Sequence, residues 1–242
     1  LAVKNLVADI SSHQPDSLAY IQALKNRGCK GVVVKLTENT NYTNPKAANQ
    51  IRYSQQCKMK VSVYHFARFS TVAKAQSEAN YFLQAIRNHN INTNAVVVCD
   101  YEAGSGSAGA SQINAFYQVL ENAGYKNVCI YSSRSWFQGQ LAGTRGLQWV
   151  AEYGVSQCSI KCDMWQYSSS NVIGGATTDL NFDYNGIFSD DTITGNNQPT
   201  SSDDNEKREE NNQQTQSDAT KIAECYSLLN IMNDHLFDKW LY

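Results

Sequence analysis

Short continuous apolar runs alternate along this chain with segments whose apolar residues return at helical spacing. Leu6–Ile10 opens the pattern as a short strand. In Asp16–Asn26, the residues Leu18, Ile21, Ala23 and Leu24 share one helical face. Gly31–Leu36 reads GVVVKL, a β-branched run bounded by glycine, and Pro45–Gln56 is again helical, with Pro45 suited to a first turn. Lys60–Phe66 predicts a strand, and Ser70 or Thr71 can cap a long helix that runs to about His89. Ala95–Tyr101 reads AVVVCDY, a fully buried strand, and Ser111–Ala123 is a helix closed by Gly124. Val128–Tyr131, Leu147–Glu152, Met164–Tyr167 and Asp179–Phe182 complete a set of eight strands, with clear helices only between the early ones.

Continuous β-branched runs joined by helical crossovers indicate parallel strands buried on both faces. Eight of them predict the α/β class, as an irregular (β/α)8 barrel with fewer outer helices. An open doubly wound sheet is the competitor, and the absence of a Gly-rich phosphate loop after the first strand speaks against it.

The pattern changes near Ser189. From Asp190 to Ser217 the only large aliphatic residue is Ile193, and such a stretch cannot bury enough apolar area to offset its ordering entropy. The expected organisation is therefore a barrel over 1–189, a flexible polar linker over 190–217, and a C-terminal amphipathic helix over 218–242. In that helix Ile222, Cys225, Leu229, Met232 and Leu236 step by three and four. It is too short to fold alone, so it is expected to pair with a second copy as a homodimer, dock on the barrel or contact a wall.

Composition narrows the function classes. The 242 residues are 42% hydrophobic with a net charge of −2, enough for one core and without a global positive field for nucleic acid. No apolar run approaches the roughly 20 residues of a membrane span. The chain begins at Leu1, which fits a removed leader or a shortened chain. The seven cysteines include no C-x-x-C pair and the four histidines are scattered, so neither a metal nor a cofactor is expected. Cys29 and Cys57 each end a helical segment before neighbouring strands, and are expected to form a disulfide. Cys158 and Cys162 are a second candidate pair, and both bridges imply an oxidising, extracellular setting. Cys225 remains as a free or intermolecular thiol.

Acidic residues recur where barrel enzymes keep their chemistry, at the C-terminal ends of strands. These are Asp9, Asp100, Glu102, Glu152 and Asp179. Asp100 and Glu102 are two apart and so face one side. Burying two like charges together keeps one protonated near neutral pH, ready to protonate a leaving glycosidic oxygen. A lone acid at such a position is more often a helix cap or a loop residue; Asp9, Asp100, Glu102 and Asp179 together are hard to explain that way. Tyr64, Phe66, Trp149, Tyr153, Trp165 and Tyr167 offer rings for the apolar faces of sugars, with Gln166 and Asn181 as polar partners, although about half of such rings are expected to serve packing alone. Tyr101, between the two acids, points the other way.

The segments VADISSHQ, GVVVKLTENTNYTNP, VYHFARF, VVVCDYEA, WVAEY and MWQYSSSNVIGGATTDLNFD resemble, in that order, glycoside hydrolase family 25, the lysozymes of phages, bacteria and fungi. The likeness covers about residues 5–188. It implies an irregular barrel, Glu102 as general acid, and Asp100, Asp9 and Asp179 as the other active-site carboxylates. It implies Tyr64 and Gln166 in a sugar groove, with Glu38 and Arg68 of the same segments counted as substrate contacts. It further implies bacterial peptidoglycan as partner and a secreted or phage-released setting. The expected reaction is cleavage between N-acetylmuramic acid and N-acetylglucosamine, assisted by the substrate's 2-acetamido group, with Asp9 or Asp179 as base or nucleophile in a direct alternative. Two departures stand out: Leu36 where alanine is commoner, and Asp183 where an apolar residue is commoner, so Asp179 is preferred to Asp183. A chitinase-like glycosidase would need acids at Ala95 and Val98, and an inactive wall-binding lectin would have lost one of the carboxylates.

Overall fold

The computed structural model describes residues 4–192. Its strands are β1 (Asn5–Ile10), β2 (Cys29–Glu38), β3 (Tyr42–Thr43), β4 (Lys60–Phe66), β5 (Val97–Asp100), β6 (Val128–Ser133), β7 (Leu147–Ala151), β8 (Met164–Ile173) and β9 (Ala176–Asp183). The helices are α1 (Leu18–Asn26), α2 (Ala47–Gln56), α3 (Val72–Asn88), α4 (Ala110–Asn122) and the single turn α5 (Arg134–Phe137). Ser17 caps α1 by accepting from Tyr20 N, and Thr71 rather than Ser70 caps α3.

Hydrogen bonding runs in the order β1-β9-β8-β7-β6-β5-β4-β2-β3, and the β1–β2 pair closes eight strands into a barrel. The two-residue β3 only folds back on β2. The large helices lie between the early strands, and β7 passes to β8 through a loop, so the expected barrel with fewer outer helices is what forms. Among the described residues no helix is long and apolar enough to cross a membrane.

Every barrel strand was expected to be parallel, and β9 is not. It runs antiparallel to both β8 and β1. The cause is Gly174–Gly175, both at positive φ (55° and 82°), which close a two-residue hairpin between Ile173 and Ala176. That turn also lengthens the expected Met164–Tyr167 strand to Ile173. The reversal puts the start of β9, not its end, at the barrel mouth where the parallel strands finish.

The alternation of side chains separates two cores. Outward residues such as Ile10, Val34, Cys99 and Ile130 pack under α1–α4 with Leu24, Phe82 and Phe116. Inward residues Val7, Val33, Val98, Cys129 and Met164 fill the barrel, and Ile187 and Phe188 cover its lower end. Each such buried side chain contributes roughly 1.5–3 kcal/mol. At the lower end the backbone of Phe188 passes so close to β2 that a Cβ on Gly31 would lie 2.1 Å from Phe188 O. Asp183 holds this closing turn, accepting from Gly186 N (3.0 Å), Phe188 N (2.9 Å) and Ser189 Oγ (2.7 Å).

The expected disulfides do not appear. All six described cysteines are free thiols. Cys29 opens β2 enclosed in the outer core, where burial pushes its thiol up to about 12, while Cys57 sits half-buried at the end of α2. Cys158 and Cys162 are near neighbours in the loop after β7, the thiol of Cys162 raised by burial and by Cys158, and are likewise unbridged. The expected linker beyond Thr192, the C-terminal helix, Cys225 and the homodimer it would support lie outside the described residues.

Candidate active site

Strand register shows which residues meet at the barrel mouth. Asp9 on β1 pairs directly with Asp179 on β9. Lys35 pairs with Tyr64, Phe66 with Asp100, Asp100 with Tyr131, Tyr131 with Trp149, and Gln166 with Asn181. All face inward, and Glu102 continues the Asp100 face just beyond β5. Asp9, Tyr64, Asp100, Glu102 and Asp179 line both an open basin of about 240 Å³ and an adjoining recess of about 80 Å³. A larger hollow of about 610 Å³ lies at the lower end, lined by Gln55, Lys58, Met59, Ile91 and Asn94 among others. It gathers no set of catalytic groups, so size does not identify the site; the convergence of carboxylates does.

Asp9 is the most strongly held acid. Gln166 Nε2 (3.0 Å) and Asn181 Nδ2 (2.8 Å) both donate to its Oδ2. Each amide is in turn fixed from behind. The hydroxyls of Tyr131 (2.7 Å) and Tyr153 donate to Gln166 Oε1, and Trp149 Nε1 donates to Asn181 Oδ1 (2.8 Å). Burial and then the Asp179 charge push Asp9 up to about 7, against the pull of the two amides.

The other acids are differently placed. Asp100 is buried, its Oδ1 without a partner among the described residues, and burial followed by Glu102 raises it well above the carboxylate range. Such an orphaned acceptor costs free energy until a ligand donor satisfies it. Glu102 is only partly buried, and no hydrogen bond to its carboxylate occurs among the described residues. Burial and then Asp179 raise it, while Lys35 and Arg68 lower it. Asp179 is raised by burial. The mouth thus holds four acids whose ionisation burial disfavours, which favours the protonated form of a carboxyl.

The remaining expected site residues divide. Phe66 lines the basin, with the Lys35 ammonium 4.9 Å and the Arg68 guanidinium 4.5 Å from its ring centre. Glu38 joins those two cations, accepting from Lys35 Nζ (2.7 Å) and from Arg68 Nη2 (2.7 Å) and Nε (3.1 Å). Arg68 also reaches Gly104 O and so ties the rim after β4 to the loop that carries Glu102. Tyr153 is half exposed at the rim. Trp149 and Asn181 are buried beneath Asp9, their polar atoms spent on each other and on Asp9. Glu152, despite ending β7, binds Ser159 and Arg134 and holds the following loop. Tyr101 is enclosed in the outer core, as its parity predicts.

Sequence reasoning missed Lys35 and Tyr131. Both were available from alternation, since Lys35 shares parity with Val33, and Tyr131 with Cys129. It also missed Glu78 on α3, which accepts from the backbone of Arg68 (2.8 Å) and pairs with buried His65 (2.9 Å). No local signal marks that contact.

The family model for glycosyl hydrolases family 25 matches residues 8–176. The chain is 31% identical over 186 residues to a lysozyme of Streptococcus phage Cp-9, covering 69% of this chain and 51% of that protein. It is 30% identical over 185 residues to the lysozyme of Streptococcus phage Cp-1, with the same coverage. The chain thus spans about half the length of these curated relatives. Among solved structures, the catalytic domain of an endolysin from a bacteriophage of Listeria monocytogenes superposes with a TM-score of 0.67 at 24% identity, covering 78% of this chain and 97% of that one. A bacterial lysozyme from Streptomyces coelicolor gives 0.61 at 21% identity, covering 78% and 99%. At those identities the structural likeness speaks for the fold.

Proposed function

Because the chain belongs to glycosyl hydrolases family 25, whose model spans residues 8–176, we propose that it is a lysozyme that cleaves the β-1,4 bond between N-acetylmuramic acid and N-acetylglucosamine in bacterial peptidoglycan. The observation that carries this reading is the convergence of Asp9, Asp100, Glu102 and Asp179 on one open basin. Such an enzyme acts on the cell wall, outside the cytoplasm, as an exported protein or one released on phage lysis.

In this reading Glu102 is the proton donor. Its elevated, half-buried carboxyl gives its proton to the glycosidic oxygen as the bond from that oxygen to the anomeric carbon breaks. The carbonyl oxygen of the same sugar's 2-acetamido group closes on the anomeric carbon and spreads the positive charge. Asp100 Oδ1, buried and unpartnered, accepts the acetamido N–H and aligns it. Glu102, now a carboxylate, takes a proton from the water that opens the cyclic intermediate and is restored. Asp9, oriented by its two amides, faces the developing positive charge as an anion, and Asp179 beside it keeps Glu102 protonated. Phe66 and Tyr153 offer rings to the sugar faces at the rim.

The test is reducing-end analysis of sugars released from purified peptidoglycan. New muramic acid reducing ends are expected. New glucosamine ends, or released peptides alone, contradict the reading.

A further inference from the structure

Four acids crowd the barrel mouth, and the ammonium of Lys35 reaches into the same basin. Lys35 lies on the inward face of β2, opposite Tyr64, and its side chain is 13% exposed. Its position is fixed on several sides. Glu38 accepts from Nζ at 2.7 Å, and the rings of Tyr42 and Phe66 lie 5.4 and 4.9 Å from it. Holding a long, flexible cation this tightly costs rotamer entropy.

We propose that Lys35 is a positioning residue of this site, the fixed countercharge that sets the pH range over which Asp100 and Glu102 hold their protons, with Glu38 tempering it. The proposal rests on the reading of Glu102 as proton donor.

The surrounding charges leave Lys35 this role. Beyond burial, Asp179 and Glu102 raise Asp9, Glu102 and Asp9 raise Asp100, and Asp179 raises Glu102. The nearby phenols, Tyr64 on β4 in the basin, Tyr131 on β6 in the recess and Tyr153 after β7 at the rim, are all raised by burial first and stay neutral. Gln166 from β8 is uncharged. Of the basic groups, His13 lies in the loop after β1, and Arg68 is 39% exposed and engaged by Glu38 and Gly104. Lys35 is the foremost charge that lowers both Asp100 and Glu102. Burial works against ionised Glu38, but its hydrogen bonds from Lys35 and Arg68 keep it below the ordinary range. Glu38 therefore stays anionic and offsets part of the cation's pull.

The experiment is a carboxyl-carbon NMR titration of the full chain labelled at Asp and Glu, with kcat measured across pH on soluble glycan fragments. Removing the cation by Lys35→Gln raises Asp100 and Glu102, and both the resonances and the alkaline limb of kcat should move up by about one pH unit. Lys35→Arg keeps the charge and should follow wild type. Glu38→Gln frees the cation from its partner and should move both in the opposite direction. Titrations of Asp100 and Glu102 that coincide in wild type and folded Lys35→Gln overturn the proposal. Should Lys35→Gln not fold, an unmoved Glu38→Gln titration overturns it equally. A wild-type chain that releases no reducing ends removes the lysozyme reading, while the NMR titration still decides the role of Lys35.

Discussion

Replacing Gln166 by Met removes one of the two amide donors on Asp9 while keeping most of the side-chain volume. Gln166 is 2% exposed and its Nε2 lies 3.0 Å from Asp9 Oδ2. A hydrogen bond to a charged group contributes roughly 1.5–3 kcal/mol. A bond worth about 2 kcal/mol corresponds to about 1.5 pH units. Burial and Asp179 hold Asp9 at about 7, and the loss raises it by those 1.5 units or so. At about pH 6 the ionised fraction of Asp9 then falls about thirtyfold. If the anion of Asp9 stabilises the developing positive charge, kcat/KM falls with it, and the acid limb of the profile moves up by the same 1.5 units or so. Tyr131→Phe is the control. It removes the 2.7 Å bond that steadies Gln166 but leaves the amide on Asp9, so the limb should move by less than about 0.5 unit. Turnover of solubilised peptidoglycan fragments across pH, on protein whose circular dichroism is unchanged, gives both limbs. An acid limb for Gln166→Met that overlies that of wild type would falsify the assignment of Asp9 and its amide support.

Glu102→Gln should lower turnover by roughly 10²–10⁴ without lowering the melting temperature, since burial and Asp179 disfavour its charged form; turnover near wild type eliminates it as proton donor. Asp179 is held above its ordinary range by burial, so the folded state binds its proton more readily than the unfolded chain. Its contribution to stability is present at low pH and lost as pH rises through the elevated value. Asp179→Asn should therefore melt higher than wild type at about pH 8, by about 2–4 °C per kcal/mol recovered, and match it near pH 4, and equal melting at both pH values contradicts this. Asp183→Asn should do the reverse, costing roughly 1–3 kcal/mol in urea unfolding because it sets an amide against the donors of the closing turn, with kcat little changed. Gly31→Ala places a Cβ against Phe188 O and should destabilise by about 3 kcal/mol or more; a smaller urea shift means the closing turn can yield.

Periodicity and spacing made the eight strands and the acids at their ends legible. The runs at Val32–Val34 and Val96–Val98 read as strands buried on both faces, and helices of the right length follow or precede them. The two-residue spacing of Asp100 and Glu102 already places both on one side, since that spacing is a property of the extended backbone. Tertiary structure decided what depends on contacts distant in sequence. The direction of β9 turns on two glycines, whose hairpin brings Asp179 to the mouth and sends Asp183 to the base, a choice that local pattern leaves open. The division between rings that meet sugar and residues that support Asp9 is likewise tertiary. Trp149 and Asn181 are 32 residues apart, and only barrel closure sets them against each other. Lys35 is the intermediate case. Its inward parity is written in GVVVKL, but its relation to four acids on or just beyond three other strands exists only once those strands close around it, because electrostatic coupling follows distance in space and not along the chain.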